Sequence, residues 1–325
     1  MVFFRGGWFL PLLLAAGAAG QASAQSGVVL YGNLDLGFVK ESGSSARLDR
    51  GYNNWLGIKG EEDLGGGRSA IFNLQARFNP DTGQQERPLT FWQGESTVGL
   101  VSQDKGSIRL GRALSPLWHN VWEYEPWQNS GFNASLAAYQ TGGYSSDGVN
   151  DGALGFADFS RISHGIFYNT PVMSGVTVHA ATGLEKAPNA TERVMGTSIN
   201  YAGDALGAML SYERNARKDE IFFVGAYRQF GPARIMASIA QNRRADIERE
   251  RTFVLAGTYR IGANTVRAGY GRNRETGNHK VSLGYVHALS PRTSLYADLY
   301  RERTTANPDG RNDRNGMAVG ISHAL

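Results

Sequence analysis

The chain of 325 residues contains no cysteine. That absence excludes a disulfide framework, a thiolate metal site and a cysteine nucleophile. Long apolar runs are missing too. After the first two dozen residues nothing approaches the ~20 apolar residues that a membrane-spanning helix needs. A helical membrane protein is thereby excluded. A membrane β-barrel is not, because half of each spanning strand is polar and its hydropathy signal is weak. No Pro- or Ser-rich linker divides the chain, so a single domain is expected, and no repeat of propeller period occurs. The net charge is +4, about +3 without Arg5, which gives no nucleic-acid signature. Neither a His-Glu-x-x-His metal motif nor a Gly-x-Ser-x-Gly elbow accompanies His119, His164, His179, His279, His287 or His323. An enzyme on this chain would have to assemble Ser, His and a carboxylate from distant segments. No cofactor is implied.

What is present begins with an export signal. Arg5, an apolar run from Trp8 to Ala19 broken by Pro11, and Ala22-Ser23-Ala24 read as a signal peptide over residues 1–24. The mature chain, residues 25–325, is rich in glycine and in segments that alternate polar and apolar residues. Leu30, Leu34, Leu36 and Phe38 fall on one face of a first strand, with Tyr31, Asn33 and Asp35 on the other. A second strand runs about Asn54 to Glu62. Leu64-Gly65-Gly66-Gly67 then turns tightly into a third, Arg68 to Phe78. At the other end, Met317, Val319, Ile321, His323 and Leu325 alternate with Ala318, Gly320, Ser322 and Ala324. A terminal strand of this kind suits a sheet that closes by pairing its last strand with its first.

Connections alternate in length. Short turns fall at Ser102–Gly106, Val172–Gly175, Gly203-Asp204, Gly231-Pro232, Gly262–Asn264 and Ser290–Arg292. Longer polar segments lie at Glu185–Arg193, Arg243–Arg251, Arg272–His279 and Arg301–Arg314. This rhythm is that of an all-β transmembrane antiparallel barrel of about sixteen strands, wide enough for an aqueous channel. A soluble sandwich would need an apolar core where these strands point polar faces at one another.

One connection breaks the pattern. From Leu114 to about Ser160 there is no Lys or Arg, but Glu123, Glu125, Asp147, Asp151 and Asp158 occur among many aromatics. A loop of such length has a function or is disordered, and its aromatics argue for packing inside the barrel. Alternation puts Lys59, Arg77, Arg109 and Arg161 on the polar faces of the second, third, fifth and sixth strands. Together with Glu123 and Glu125 these are the expected constriction residues, a basic wall facing an acidic loop. Arg77 and Arg109, on rigid strands, favour anions, while the acidic loop favours cations. Trp118, Trp122, Tyr124 and Trp127 either wedge the loop against the wall or offer a stacking surface for a specific solute.

The residues resemble the general porins of Gram-negative bacteria, of the type found in beta-proteobacteria and Neisseria. The resemblance lies in Leu30-Tyr31-Gly32-Asn33-Leu34-Asp35, in Leu56 to Gly67, in Ala70-Ile71-Phe72-Asn73-Leu74, in Gly106 to Arg112, and in Tyr168-Asn169-Thr170-Pro171 with Ser174-Gly175. It implies a sixteen-stranded barrel in the outer membrane, usually a homotrimer, with the third loop folded into each pore. Ions and small hydrophilic solutes would cross passively. Outer-membrane lipid, lipopolysaccharide and the barrel-assembly machinery are the expected partners, and nucleic acid is not. Three positions depart from the family pattern. Glu125-Pro126-Trp127 stands where a Pro-Glu-Phe-Gly-Gly stretch is typical, Phe167 where a basic residue is frequent, and Leu325 where a terminal aromatic is usual.

Overall fold

The computed structural model describes residues 27–87, 90–128, 130, 133–146, 160–184, 192–244, 247–305 and 313–325. The signal segment, Asp147, Asp151 and Asp158, and most of the Glu185–Arg193 connection therefore lie outside the described residues. The chain climbs in β1 (Gly27–Glu41), forms a short β2 (Arg47–Asp49), and returns in β3 (Trp55–Gly65). It continues as β4 (Arg68–Arg77), β5 (Glu95–Ser102), β6 (Gly106–Leu114), β7 (Arg161–Asn169), β8 (Val176–Gly183) and β9 (Met195–Ala202). The second half comprises β10 (Leu206–Arg214), β11 (Glu220–Phe230), β12 (Ala233–Arg244), β13 (Ile247–Ile261), β14 (Asn264–Asn273), β15 (His279–Ala288), β16 (Thr293–Arg303) and β17 (Asp313–Ala324). All belong to one 17-stranded antiparallel sheet, and without the three-residue β2 sixteen strands remain.

The sheet closes on itself. The upper half of β1 pairs with β17, from Asn33 opposite Ala324 to Glu41 opposite Gly316. Its lower half pairs with β3, from Gly27 opposite Glu61 to Asn33 opposite Trp55. Closure leaves no unpaired edge, which a lipid environment demands. Both ends of the sheet lie at the rim with the short turns, which is the periplasmic one in such barrels.

Side chains sort by parity. Phe38, Ile58, Val98, Leu255, Leu283, Leu299 and Val319 point outward and are exposed. Tyr201, Phe230, Tyr259 and Tyr285 form an outward aromatic band next to the short turns, and Phe222 and Phe253 one nearer the loops. On β17 the small residues face in, and a Cβ on Gly320 would lie 2.3 Å from the Tyr296 hydroxyl. The Arg243–Arg251 segment, expected as a loop, is instead mostly strand. Pairing of β12 with β13 continues through Gln241 opposite Arg251 and Asn242 opposite Glu250, so the hairpin extends past the apolar band.

Candidate pore constriction

The long third loop, here L3, follows β6 and folds inside the barrel. Ser115 caps α1 (Pro116–Asn120), whose Pro116 supplies a helix-ready φ at the first position. A 3-10 helix covers Val121–Tyr124, and α2 (Ala137–Thr141) ends at Gly142 in the left-handed conformation with φ 59°. Glycine is required there twice over, because a Cβ would also sit 2.5 Å from Nδ2 of Asn242.

L3 lies against the wall built by β10 to β16. Leu117, Trp118, Val121, Tyr124 and Tyr144 pack on Met209, Ile221, Phe223 and Ala240. Farther along, Trp127, Leu136 and Tyr139 pack on Val254, Ala256 and Tyr300. On β14 the inward residues facing the loop include Gly269 and Gly271, and a Cβ on either would lie 2.6 Å from Leu136 or Tyr139. Two inward glycines thus form the seat for the loop. Burial, reinforced by the charge of Glu123, holds the Tyr124 hydroxyl above the ordinary phenol range.

Polar contacts fix both ends and the middle of the loop. The buried Glu213 carboxylate accepts from the Leu117 amide at 2.8 Å and from Ser146 Oγ at 2.7 Å, tying the start and the far side of L3 to one point on β10. Trp127 Nε1 donates to Asp298 at 2.9 Å, and Asp298 is paired with Arg267 at 2.8 Å. Arg267 in turn lies 5.0 Å from the centroid of the Trp127 ring. Asn242 donates to the Thr141 carbonyl at 2.6 Å, and Tyr139 to Glu302 at 2.8 Å.

The expected constriction residues separate into groups. Glu123 faces the wall on which L3 is seated, 3.4 Å from Arg234 of β12, which itself covers the Tyr227 ring. Glu125 is 2 % exposed and accepts from the Trp127 amide and from Ser135 Oγ, so it braces the loop from within. On the opposite wall Lys59 is exposed to the lumen above the Tyr31 ring, and Arg109 pairs with Glu95 and stacks on Phe167. Arg77 is 8 % exposed and lies over Trp55. Arg161 is 4 % exposed and donates to the Gly94 carbonyl at 3.0 Å and to Ser160 at 2.6 Å.

Arg77 and Arg161 are brought together with residues that sequence reasoning missed. Arg50, in the first loop, makes an ion pair of 2.7 Å with Glu86 of the second loop. Arg77 feels the charges of both, and Arg161 those of Arg77, Arg112 and Glu86. Arg234, Arg267 and Asp298 share the inward parity of their strands, a signal present in the alternation. Arg50 lies outside any strand, so no periodicity could have marked it. Near this wall the His119 ring lies 4.5 Å from that of His179, whose Nδ1 is 2.7 Å from Asn169 Oδ1. Burial, and then the charges of His179 and Arg109, push the His119 pKa down to about 3.

The family model for Gram-negative porins matches residues 12–307. The chain belongs to the Gram-negative porin family. It is 26% identical to outer membrane porin protein 32 of Delftia acidovorans over 362 residues, covering 97% of this chain and 99% of that one. The structure of the anion-selective porin from Comamonas acidovorans superposes with a TM-score of 0.77 at 22% identity, covering 93% of this chain and 100% of that one. The trimer form of OmpT from Vibrio cholerae superposes at 0.66 with 14% identity, covering 92% and 99%. This porin is therefore an outer-membrane β-barrel with a passive water-filled channel, narrowed by L3.

Proposed function

We propose that this porin passes small anions in preference to cations, works as a homotrimer, and catalyses no reaction. The observation that carries the ion preference is the wall facing L3. There Arg50, Lys59, Arg77, Arg109 and Arg161 outnumber Asp35, Glu61, Glu86 and Glu95. The described L3 carboxylates oppose this field weakly, because Glu123 is matched by Arg234 and Glu125 is turned into the loop. A net positive lining with low-dielectric walls raises the local concentration of anions. The similar Comamonas porin is anion-selective, which agrees with the same reading.

Trp118, Tyr124 and Trp127 are buried against the wall, which supports a general filter over a stacking platform for one solute. The trimer reading is supported by the outward faces of β3, β5 and β6. These carry Leu56, Ile58, Val98, Leu100, Ile108 and Leu110 and none of the aromatics that band the other strands. With Phe72 of the intervening β4 as its outward aromatic, a surface so poor in interfacial aromatics suits contact with another copy. Removal of residues 1–24 on export, insertion by the barrel-assembly machinery, and a setting of lipid and lipopolysaccharide belong to this reading.

A planar bilayer with a salt gradient tests it. The reversal potential is expected to have the sign of anion preference, with openings in groups of three, and Arg77→Gln to shift the potential toward zero. A reversal potential of the opposite sign would discard the anion reading, and a folded barrel that never conducts would discard the channel.

A further inference from the structure

The root of L3 holds a histidine pair that the seating of the loop does not use. His119 stands in the last turn of α1, and its ring centroid is 4.5 Å from that of His179 on β8, with the planes tilted by 50°. That angle is neither a stack nor an edge-to-face contact. Two imidazoles held at ~2.0–2.1 Å by one ion, at a right angle to each other, have centroids about 4.5 Å apart. A tetrahedral angle would separate them to about 5.2 Å. The spacing found is that of the right angle.

His179 is oriented as a ligand is. Its Nδ1 lies 2.7 Å from Oδ1 of Asn169, whose Nδ2 donates to Ser107 Oγ at 3.2 Å. An amide oxygen only accepts, so Nδ1 of His179 carries the proton and Nε2 keeps its lone pair. Support of this kind regularly accompanies a metal-binding imidazole. Opposite His179 on β9, Ser198 donates to the Pro116 carbonyl of α1 at 3.0 Å. Asn200, the next inward residue toward the short turn, donates through Nδ2 to Ser198 at 3.0 Å. Its Oδ1 has no hydrogen-bond partner among the described residues, although Asn200 is 5 % exposed. A buried amide oxygen in that condition lowers stability unless something takes its lone pairs. Arg109, whose charge reaches His119, is itself paired with Glu95, so the pair of rings is open to a cation.

We propose that His119 and His179 chelate a divalent transition-metal ion, Cu²⁺ ahead of Ni²⁺ and Zn²⁺. The Asn200 amide oxygen supplies a further donor, and water completes the shell. Imidazole suits these three ions, and a right-angled arrangement together with the general order of affinities puts Cu²⁺ first. Mg²⁺ and Ca²⁺ require a set of oxygen donors that the two rings do not provide. Bound there, the ion fastens α1 to β8 and pins the root of L3 to the wall. The site is independent of the ion preference of the pore.

The test adds Cu²⁺ to the full folded porin in detergent near neutral pH and reads the ion by electron paramagnetic resonance. One ion per chain is expected, with an axial signal split by two nitrogen ligands. His119→Gln and His179→Gln should each lose the two-nitrogen signal, and Asn169→Ala should weaken binding by about tenfold or more. His287→Gln, beside a short turn, should keep the parent spectrum. Ni²⁺ and Zn²⁺ should displace Cu²⁺ only in excess, and Mg²⁺ not at all. If a histidine variant does not fold, the parent spectrum and the competition series still decide. A parent signal with one nitrogen or none, a two-nitrogen signal undiminished in either histidine variant, or displacement by Mg²⁺ would each overturn the proposal. Rings in packing contact alone would give the parent and both variants the same spectrum.

Discussion

His119 lies on α1 of L3 against β8, with the His179 ring 4.5 Å away and the charge of Arg109 nearby. An unfolded histidine takes up its proton near pH 6.5. In the folded barrel that step is held down to about 3, so between these values the unfolded chain binds more protons. Stability from this residue is therefore present above about pH 6.5 and is lost as the pH falls toward 3. Acidification across this window is expected to loosen the root of L3, seen as noisier single-channel current. His119→Gln should flatten that dependence, and an unchanged pH profile in the variant would remove His119 from the account.

The L3 segment shows what an element gains from two kinds of anchor. Aromatic packing fixes its face, and a few polar pairs fix its position along the wall. Asp298 is 3 % exposed and serves Trp127 and Arg267 together. Asp298→Ala would leave a half-buried guanidinium without its partner, at a cost of about 3 kcal/mol. The tip of L3 is then expected to swing into the lumen or away from it, changing conductance while the barrel itself stays folded. Glu213→Ala should release both ends of L3 at once and let larger sugars through in a liposome-swelling assay. Glu213→Gln keeps the acceptor for the Leu117 amide and should stay near the parent. Equal size limits for Glu213→Ala and the parent would show that packing alone seats the loop.

Much of this was legible in sequence at the level of the element. Parity along β3, β4 and β6 identified the inward Lys59, Arg77 and Arg109, because a strand repeats every two residues without help from its surroundings. The turns at Gly203, Gly231 and Gly262 were equally plain. Arg161 was not. Pairing of β6 with β7 slips between Gly111 and Ala113, and His164 has a φ of 51°, so alternation counted from Phe167 fails before it reaches Arg161. Ile162 takes the buried inward place beside Ala113, and Arg161 is packed beneath the second loop. The inward turn of Glu125 was hidden for another reason. Its partners Ser135 and the Trp127 amide meet it only through the folded course of L3.

For the whole molecule the critical region is the seam where β16 and β17 meet β1. The Tyr296 hydroxyl reaches across it to Asp35 at 2.9 Å, and Asp35 also accepts from the amides of Gly51 and Tyr52. Gly37, Gly51 and Gly320 leave room for that ring, since a Cβ on any of them would approach the Tyr296 hydroxyl within 3.0 Å. Gly320→Val is expected to overpack the seam by about 1–3 kcal/mol. The loss should appear as a smaller folded fraction in unheated electrophoresis, and a variant that folds fully would show that the ring can move aside.

The same seam sets the order of events in making the protein. The upper half of β1 has β17 as its main partner, so a strand near the start of the chain waits for one near its end. Until β17 arrives, β1 is a hydrophobic strand with a bare row of amides and carbonyls, open to any other chain that can supply a strand. Contacts of such sequence separation form late and slowly. A chain truncated within β17 would thus leave more than a weakened barrel. It would keep an adhesive edge, and aggregation would be its natural fate.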